Sequence, residues 1–143
     1  MSIEREHSYG GVVVRGREVL VIAPVGRPEV TTLPKGRGRP GESEQETAAR
    51  EVREETGVEA RILERLGDVE YWYRRSGIRV FKTVGYYLCD YVSGDTADHD
   101  DEVDEARWIP LERARTELSY PGERRIIERA LSRRLMTSPL RSV

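Results

Sequence analysis

The stretch Ser43–Gly57, SEQETAAREVREETG, constrains this chain more than any other, because both ends of a helix are written into it. Ser43 followed three residues later by Glu46 forms a capping box, and Gly57 suits the left-handed position that closes a helix. The stretch between them therefore predicts a helix of about three and a half turns. At about 100° per residue, Glu51, Glu54 and Glu55 fall on one face, Ala48, Ala49 and Val52 form a small apolar stripe beside it, and Arg50 flanks the acids. Glu51 has Glu55 at i+4, where a stabilised helix would place a cation, and the acids crowd the wrong end of the helix dipole. A divalent cation reverses both penalties. Hard cations such as Mg²⁺ take oxygen ligands and reach proteins partly through substrate phosphates. The plain reading of three glutamates alone is a solvated acidic face, so the surroundings must decide.

At 143 residues the chain fits one domain, 1–143, around one core. Its net charge of −2 offers no basic footprint for nucleic acid. No run approaches the roughly 20 apolar residues of a membrane span, and the start MSIEREHSYG lacks the apolar stretch of a signal peptide. Cys89 is the single cysteine, which excludes a disulfide framework and a cysteine-built zinc site. A buried, inert thiol and a cytoplasmic location follow. Of 24 basic residues only Lys35 and Lys82 are lysines, so coding bias toward arginine stops at two positions. A compact ammonium is not interchangeable with a guanidinium fork, and these two positions merit attention.

YGGVVVRGREVLVIA reads as two core strands around a turn at Arg15–Glu18. Pro24 to Ser43 is rich in Pro and Gly and reads as a long functional loop, with an extended piece near Thr31–Leu33. Beyond the helix, a bent strand, a turn at Arg75-Ser76-Gly77 and a strand from about Ile78 to Tyr91 make a second hairpin. An acidic loop, SGDTADHDDEVDE, then leads to a short strand in ARWIP and a brief helix over 111–118. A closing helix opens near Ser119 with Pro121 early in it and packs through Ile126, Ile127, Ala130 and Leu131. The tail from about Thr137 is expected to fray. Paired strands with helices between them predict an α+β fold, a mixed β-sheet sandwiched between α-helices (α/β/α).

From Gly36 the chain reads Gly36, five residues, Glu42, seven residues, Arg50-Glu51-Val52, one residue, Glu54-Glu55, one residue, Gly57-Val58. This resembles the Nudix box, G-x5-E-x7-R-E-U-x-E-E-x-G-U with U apolar, at all nine defined positions over 23 residues. The resemblance to Nudix hydrolases implies Mg²⁺ or Mn²⁺ as cofactor and water attack on a phosphoanhydride of a nucleotide substrate. It implies Glu51, Glu54 and Glu55 as metal ligands with the Gly36 carbonyl, Arg50 as their holder and Glu42 as a brace. The general base in the family is a box glutamate, here Glu51, or a glutamate of a later loop, here Glu102, which is also a candidate ligand.

LPKG at Leu33–Gly36, KTVGYYL at Lys82–Leu88 and EVDEARWIPLERA at Glu102–Ala114 are similar to asymmetric diadenosine tetraphosphate hydrolases. That similarity implies phosphate contacts from Lys35 and Lys82 and an adenine contact from Tyr86. Apart from it, the aromatic run Tyr71, Trp72 and Tyr73 offers further candidates for base stacking, against the plain reading of core packing. Because neighbours on a strand face opposite ways, only one of Tyr86 and Tyr87 should face a cleft. The alternatives are a nucleoside triphosphate pyrophosphohydrolase acting on damaged nucleotides, a diphosphoinositol polyphosphate phosphatase, and a nucleotide-sensing module without chemistry. The intact set of carboxylates speaks against the last. The state is expected to be a monomer or homodimer.

Overall fold

A computed structural model describes residues 2–137, and their side chains as far as Arg133. The chain runs β1 (Ile3–Arg15), β2 (Glu18–Pro24), β3 (Lys35–Arg37), α1 (Glu44–Thr56), β4 (Val58–Arg75), β5 (Ile78–Gly94), a single 3₁₀ turn at Thr96–Asp98, β6 (Val103–Pro110), α2 (Leu111–Glu117) and α3 (Pro121–Thr137). The six strands form one mixed sheet in the order β4-β5-β1-β2-β6, with β3 also paired to β1. The α+β expectation of a sheet between helices holds. The expected fraying tail falls, apart from its first residue, outside the described residues.

Both hairpins form where turn residues permit them. Gly16 takes φ 62° between β1 and β2, and Ser76 and Gly77 take φ 51° and 80° between β4 and β5. The sheet separates two apolar layers. On one face Ala48 and Val52 of α1 pack with Val13, Leu20, Val58, Tyr87 and Cys89. On the other, Leu111, Ala114 and Leu118 from α2 and its C-cap join Ile126, Ile127 and Ala130 of α3 over Val12, Val14, Val84, Tyr86 and Leu88. The alternation of strand side chains explains why Tyr86 and Tyr87 part to opposite layers. Burial pushes the Cys89 thiol up to about 12, consistent with an inert core cysteine. Among the described residues no helix is long and apolar enough to cross a membrane.

Two features of β1 go beyond the sequence expectation. The strand begins at Ile3, so the charged segment IEREHS is part of the sheet, and its long parallel partner is β5, from Ile3↔Arg79 to Val14↔Asp90. Its opposite edge is divided: β2 pairs only at Val14 and Arg15, while β3 pairs at Ser8–Gly10. β2 instead follows β6 along its length. The chain therefore opens between β2 and β3, and the segment Thr31–Gly36 occupies that opening.

Candidate active site

The helix α1 is capped as its sequence demands. The Ser43 hydroxyl accepts from the Glu46 amide at 3.1 Å, and the Ser43 amide donates to the Glu46 carboxylate at 2.8 Å. Gly57, at φ 78°, donates its amide to the Arg53 carbonyl at 2.8 Å and ends the helix. A side chain at Gly57 would also collide with the Asp95 carbonyl, 2.3 Å from the position of its Cβ.

Arg50 organises the acidic face from a nearly buried position, 8% exposed. Its Nε and Nη2 donate to Glu42 at 2.6 and 3.0 Å, Nη1 to Glu51 and Glu54 at 2.8 Å each, and Nη2 also to the Arg37 carbonyl at 2.9 Å. One guanidinium thus binds three carboxylates and the last residue of β3, a task that needs a rigid fork. Arg39 adds a second cation on Glu54, at 3.1 Å. Hydrogen bonds from Arg50, first among its contacts, hold the Glu42 carboxyl down at about 2. The bracing expected of Glu42 is visible in its bonds to Arg50, to the Thr47 hydroxyl (2.9 Å) and to the Arg39 amide (3.0 Å).

Glu55 lies in a different environment. It is 9% exposed and, among the described residues, accepts one hydrogen bond, from the Lys35 amide at 3.0 Å. Burial, reinforced by Glu51 and Asp100, pushes its carboxyl up to about 8. Burial also raises Glu51, where Glu54 and Glu102 add repulsion against the pull of Arg50. Glu102, exposed on the loop before β6, is therefore within electrostatic reach of the acidic face. Its backbone is fixed by the Val25 amide (3.0 Å) and by Asp100 (3.1 Å), and Asp100 in turn donates its amide to the Glu54 carbonyl at 3.0 Å. Asp100 is a carboxylate of this face that sequence reasoning did not single out.

The donor set suits a hard divalent cation: surplus carboxylates, all oxygen, with Glu51 and Glu55 raised by burial and mutual repulsion. The backbone of Gly36 abuts this set, since a Cβ there would lie 2.1 Å from the Glu51 carboxylate. Among the described residues no three such side chains already converge on one point. Arg50 holds Glu51 and Glu54, and the Lys35 amide holds Glu55.

Beside this face, on the α3 side of the sheet, lies a cavity of about 710 Å³. Lys35, Lys82, Tyr71, Tyr73, Tyr86, Tyr120, Arg27, Arg125 and Glu123 are among its lining residues. Both lysines of the chain meet here. Burial, with Lys35 nearby, pushes the Lys82 ammonium down to about 8, a cost that an anionic ligand would relieve. The aromatic candidates divide. Tyr71 and Tyr73 face the cavity, whereas Trp72 points to the opposite face, against Phe81 and beneath Arg79. The Tyr73 hydroxyl is engaged by Glu6 at 2.6 Å. Tyr86 borders the cavity yet has no exposed surface, its hydroxyl donating to Glu123 at 2.9 Å; it forms floor, not an open stacking platform. Tyr87 lies on the other face and donates to Glu44 at 2.9 Å.

Glu123 itself was not anticipated. An acidic residue in the first turn of a helix has an ordinary explanation in the helix dipole, and its partners are far away in sequence.

Known proteins resemble this chain over most of its length. MutT4 of Mycobacterium tuberculosis (strain CDC 1551 / Oshkosh) is 40% identical over 137 residues, covering 90% of this chain and 55% of that protein. The 8-oxo-(d)GTP phosphatase of Mycolicibacterium smegmatis is 36% identical over 131 residues, covering 90% of this chain and 39% of that protein. The chain thus spans about half or less of the length of these curated relatives. The crystal structure of a C. elegans Ap4A hydrolase binary complex superposes with a TM-score of 0.70 at 25% identity, over 89% of this chain and 96% of that one. The curated relatives carry other names than diadenosine tetraphosphate hydrolase, so their likeness supports the family and not that finer resemblance. The family model for the NUDIX domain matches residues 5–130, and with the intact carboxylate face on α1 the chain belongs to the NUDIX hydrolase family.

Proposed function

We propose that the protein hydrolyses a phosphoanhydride in dinucleoside polyphosphates such as diadenosine tetraphosphate, giving ATP and AMP, with Mg²⁺ or Mn²⁺ as cofactor. The observation that carries this reading is that the only two lysines of the chain line one cavity, while the backbone of one of them binds the carboxylate face. Lys35 offers its ammonium to the cavity and its amide to Glu55, so a phosphate chain lying along the lysines leads to the acids. Tyr71 and Tyr73 give that cavity aromatic walls for a base. The likeness to the C. elegans Ap4A hydrolase supports the same substrate class.

Glu51, Glu54, Glu55 and the Gly36 carbonyl would hold the cation, which supplies charge neutralisation at the reacting phosphate. Arg50 keeps Glu51 and Glu54 on one rim. Glu102 accepts the proton of the attacking water: its carboxylate has no hydrogen bond or ion pair among the described residues, whereas Glu51 is tied to Arg50. Lys35 and Lys82 bind phosphate oxygens and hold the chain in line for displacement.

A second reading, hydrolysis of damaged nucleoside triphosphates, is favoured by the 36% identity to the M. smegmatis 8-oxo-(d)GTP phosphatase. A panel of dinucleoside polyphosphates, nucleoside triphosphates and 8-oxo-dGTP, hydrolysed with Mg²⁺ in ¹⁸O-labelled water and read by mass spectrometry, separates the two. The proposal expects diadenosine tetraphosphate to give ATP and AMP, with label in one of them. Two ADP, or turnover confined to mononucleotides, contradicts the substrate assignment. No Mg²⁺-dependent turnover of any member contradicts the activity.

A further inference from the structure

The segment Thr31–Gly36 joins the cavity to the acidic face, and almost every residue of it is fastened. Thr31 exchanges hydrogen bonds with Ser119, its amide to the serine hydroxyl and its carbonyl from the serine amide, both at 2.9 Å. Thr32 pairs with Ile22 at 2.8 and 2.9 Å. The Pro34 carbonyl accepts from Gly11 at 3.2 Å, and the Lys35 amide reaches Glu55. The central fastening is Glu123, 3% exposed in the first turn of α3. Its carboxylate accepts from the Thr32 hydroxyl at 2.7 Å, the Leu33 amide at 3.0 Å and the Tyr86 hydroxyl at 2.9 Å.

Three donors converge on this buried acid, two from the adjacent residues Thr32 and Leu33 and one from Tyr86 on β5, and no cation pairs with it within 4.0 Å among the described residues. Burial raises the Glu123 carboxyl, and the hydrogen bonds from Thr32, Leu33 and Tyr86 oppose that rise; an ionised carboxylate is acceptor-only and meets all three donors. Its partners end two residues before Lys35. The segment packs directly on the backbone of Gly10, where a Cβ would lie 2.3 Å from the Pro34 carbonyl and 2.8 Å from the Lys35 Cβ.

We propose that Glu123 is a positioning residue that fixes Leu33 and thereby sets where the Lys35 ammonium stands in the cavity. The proposal rests on the reading of Lys35 as a phosphate contact. It is tested by Glu123→Ala and Glu123→Gln, each in the wild-type and the Lys35→Ala background, with KM, kcat and Tm measured for the best substrate. Glu123→Ala should raise KM about tenfold, with a smaller change in kcat, a coupling of the size found between residues of one network. Glu123→Gln keeps the shape and one acceptor oxygen, so it should fall between, and it carries the test where the alanine variant does not fold. In the Lys35→Ala background neither substitution should raise KM further. The full KM effect persisting without the lysine, or a lowered Tm at unchanged KM, overturns the proposal. Wild-type KM in Lys35→Ala alone overturns it by removing the phosphate contact, and leaves the hydrolytic reading to be judged by wild-type turnover.

Discussion

At one end of the acidic face Glu42 meets Arg50 through two hydrogen bonds and is held down at about 2; at the other, Glu55 meets one backbone amide and is pushed up to about 8. The residue type is the same and both belong to one motif. What differs is supply: the Glu42 end has a guanidinium matched to it, while burial strips the Glu55 end of solvent and leaves it one neutral amide donor. A matched carboxylate serves as a brace. An unmatched, buried one gains most from an arriving dication, so the environment of each acid divides structure from chemistry.

The comparison breaks most severely at Arg50. Arg50→Ala should leave Glu42, Glu51 and Glu54 facing one another without their shared cation, and should cost about 3 kcal/mol of stability, as for other buried pairs that lose one partner. Thermal or urea unfolding checks it; an unchanged midpoint would mean the network is ornamental. A smaller effect is expected where the two ends meet. Gly36→Ala places a methyl against the Glu51 carboxylate, and should lower kcat about tenfold while leaving the helix and its caps intact, since misplacing a positioned group by even an ångström is costly. Circular dichroism with steady-state kinetics separates this from unfolding.

The smallest effect sharpens the comparison through pH. Glu55 is raised from its ordinary 4.5 to about 8, so the folded state binds more protons than the unfolded state between those values. Its contribution to stability is present below about pH 4.5 and is lost as pH rises toward 8. The metal-free protein should therefore lose stability over that window, Glu55→Gln should flatten the loss, and Mg²⁺ should oppose it in the wild type. Differential scanning fluorimetry across pH, with and without Mg²⁺, reads all three.

How much was legible in the sequence follows the range of the interactions. The helix α1 was readable at both ends because Ser43, Glu46 and Gly57 are local signals. The split of Tyr86 and Tyr87 followed from strand alternation. The first half of β1 was hidden, because Glu4 and Glu6 give no apolar pattern; their charges are met by Arg75, a residue on the distant β4. The parallel pairing of β1 with β5 leaves no turn between them to mark it. Glu123 was hidden for the same reason, with Thr32 and Tyr86 standing 91 and 37 residues away. Local chemistry announced the acidic face, and long-range packing determined which residues surround it.

The most direct measurement is Mg²⁺-dependent hydrolysis by Glu55→Gln, with the folded state verified by its unfolding transition. A metal that neutralises charge at the reacting phosphate supplies several kcal/mol, so the variant should lose about a hundredfold or more in kcat. A folded Glu55→Gln enzyme turning over within a few-fold of the wild type would contradict the assignment of this face to the cation.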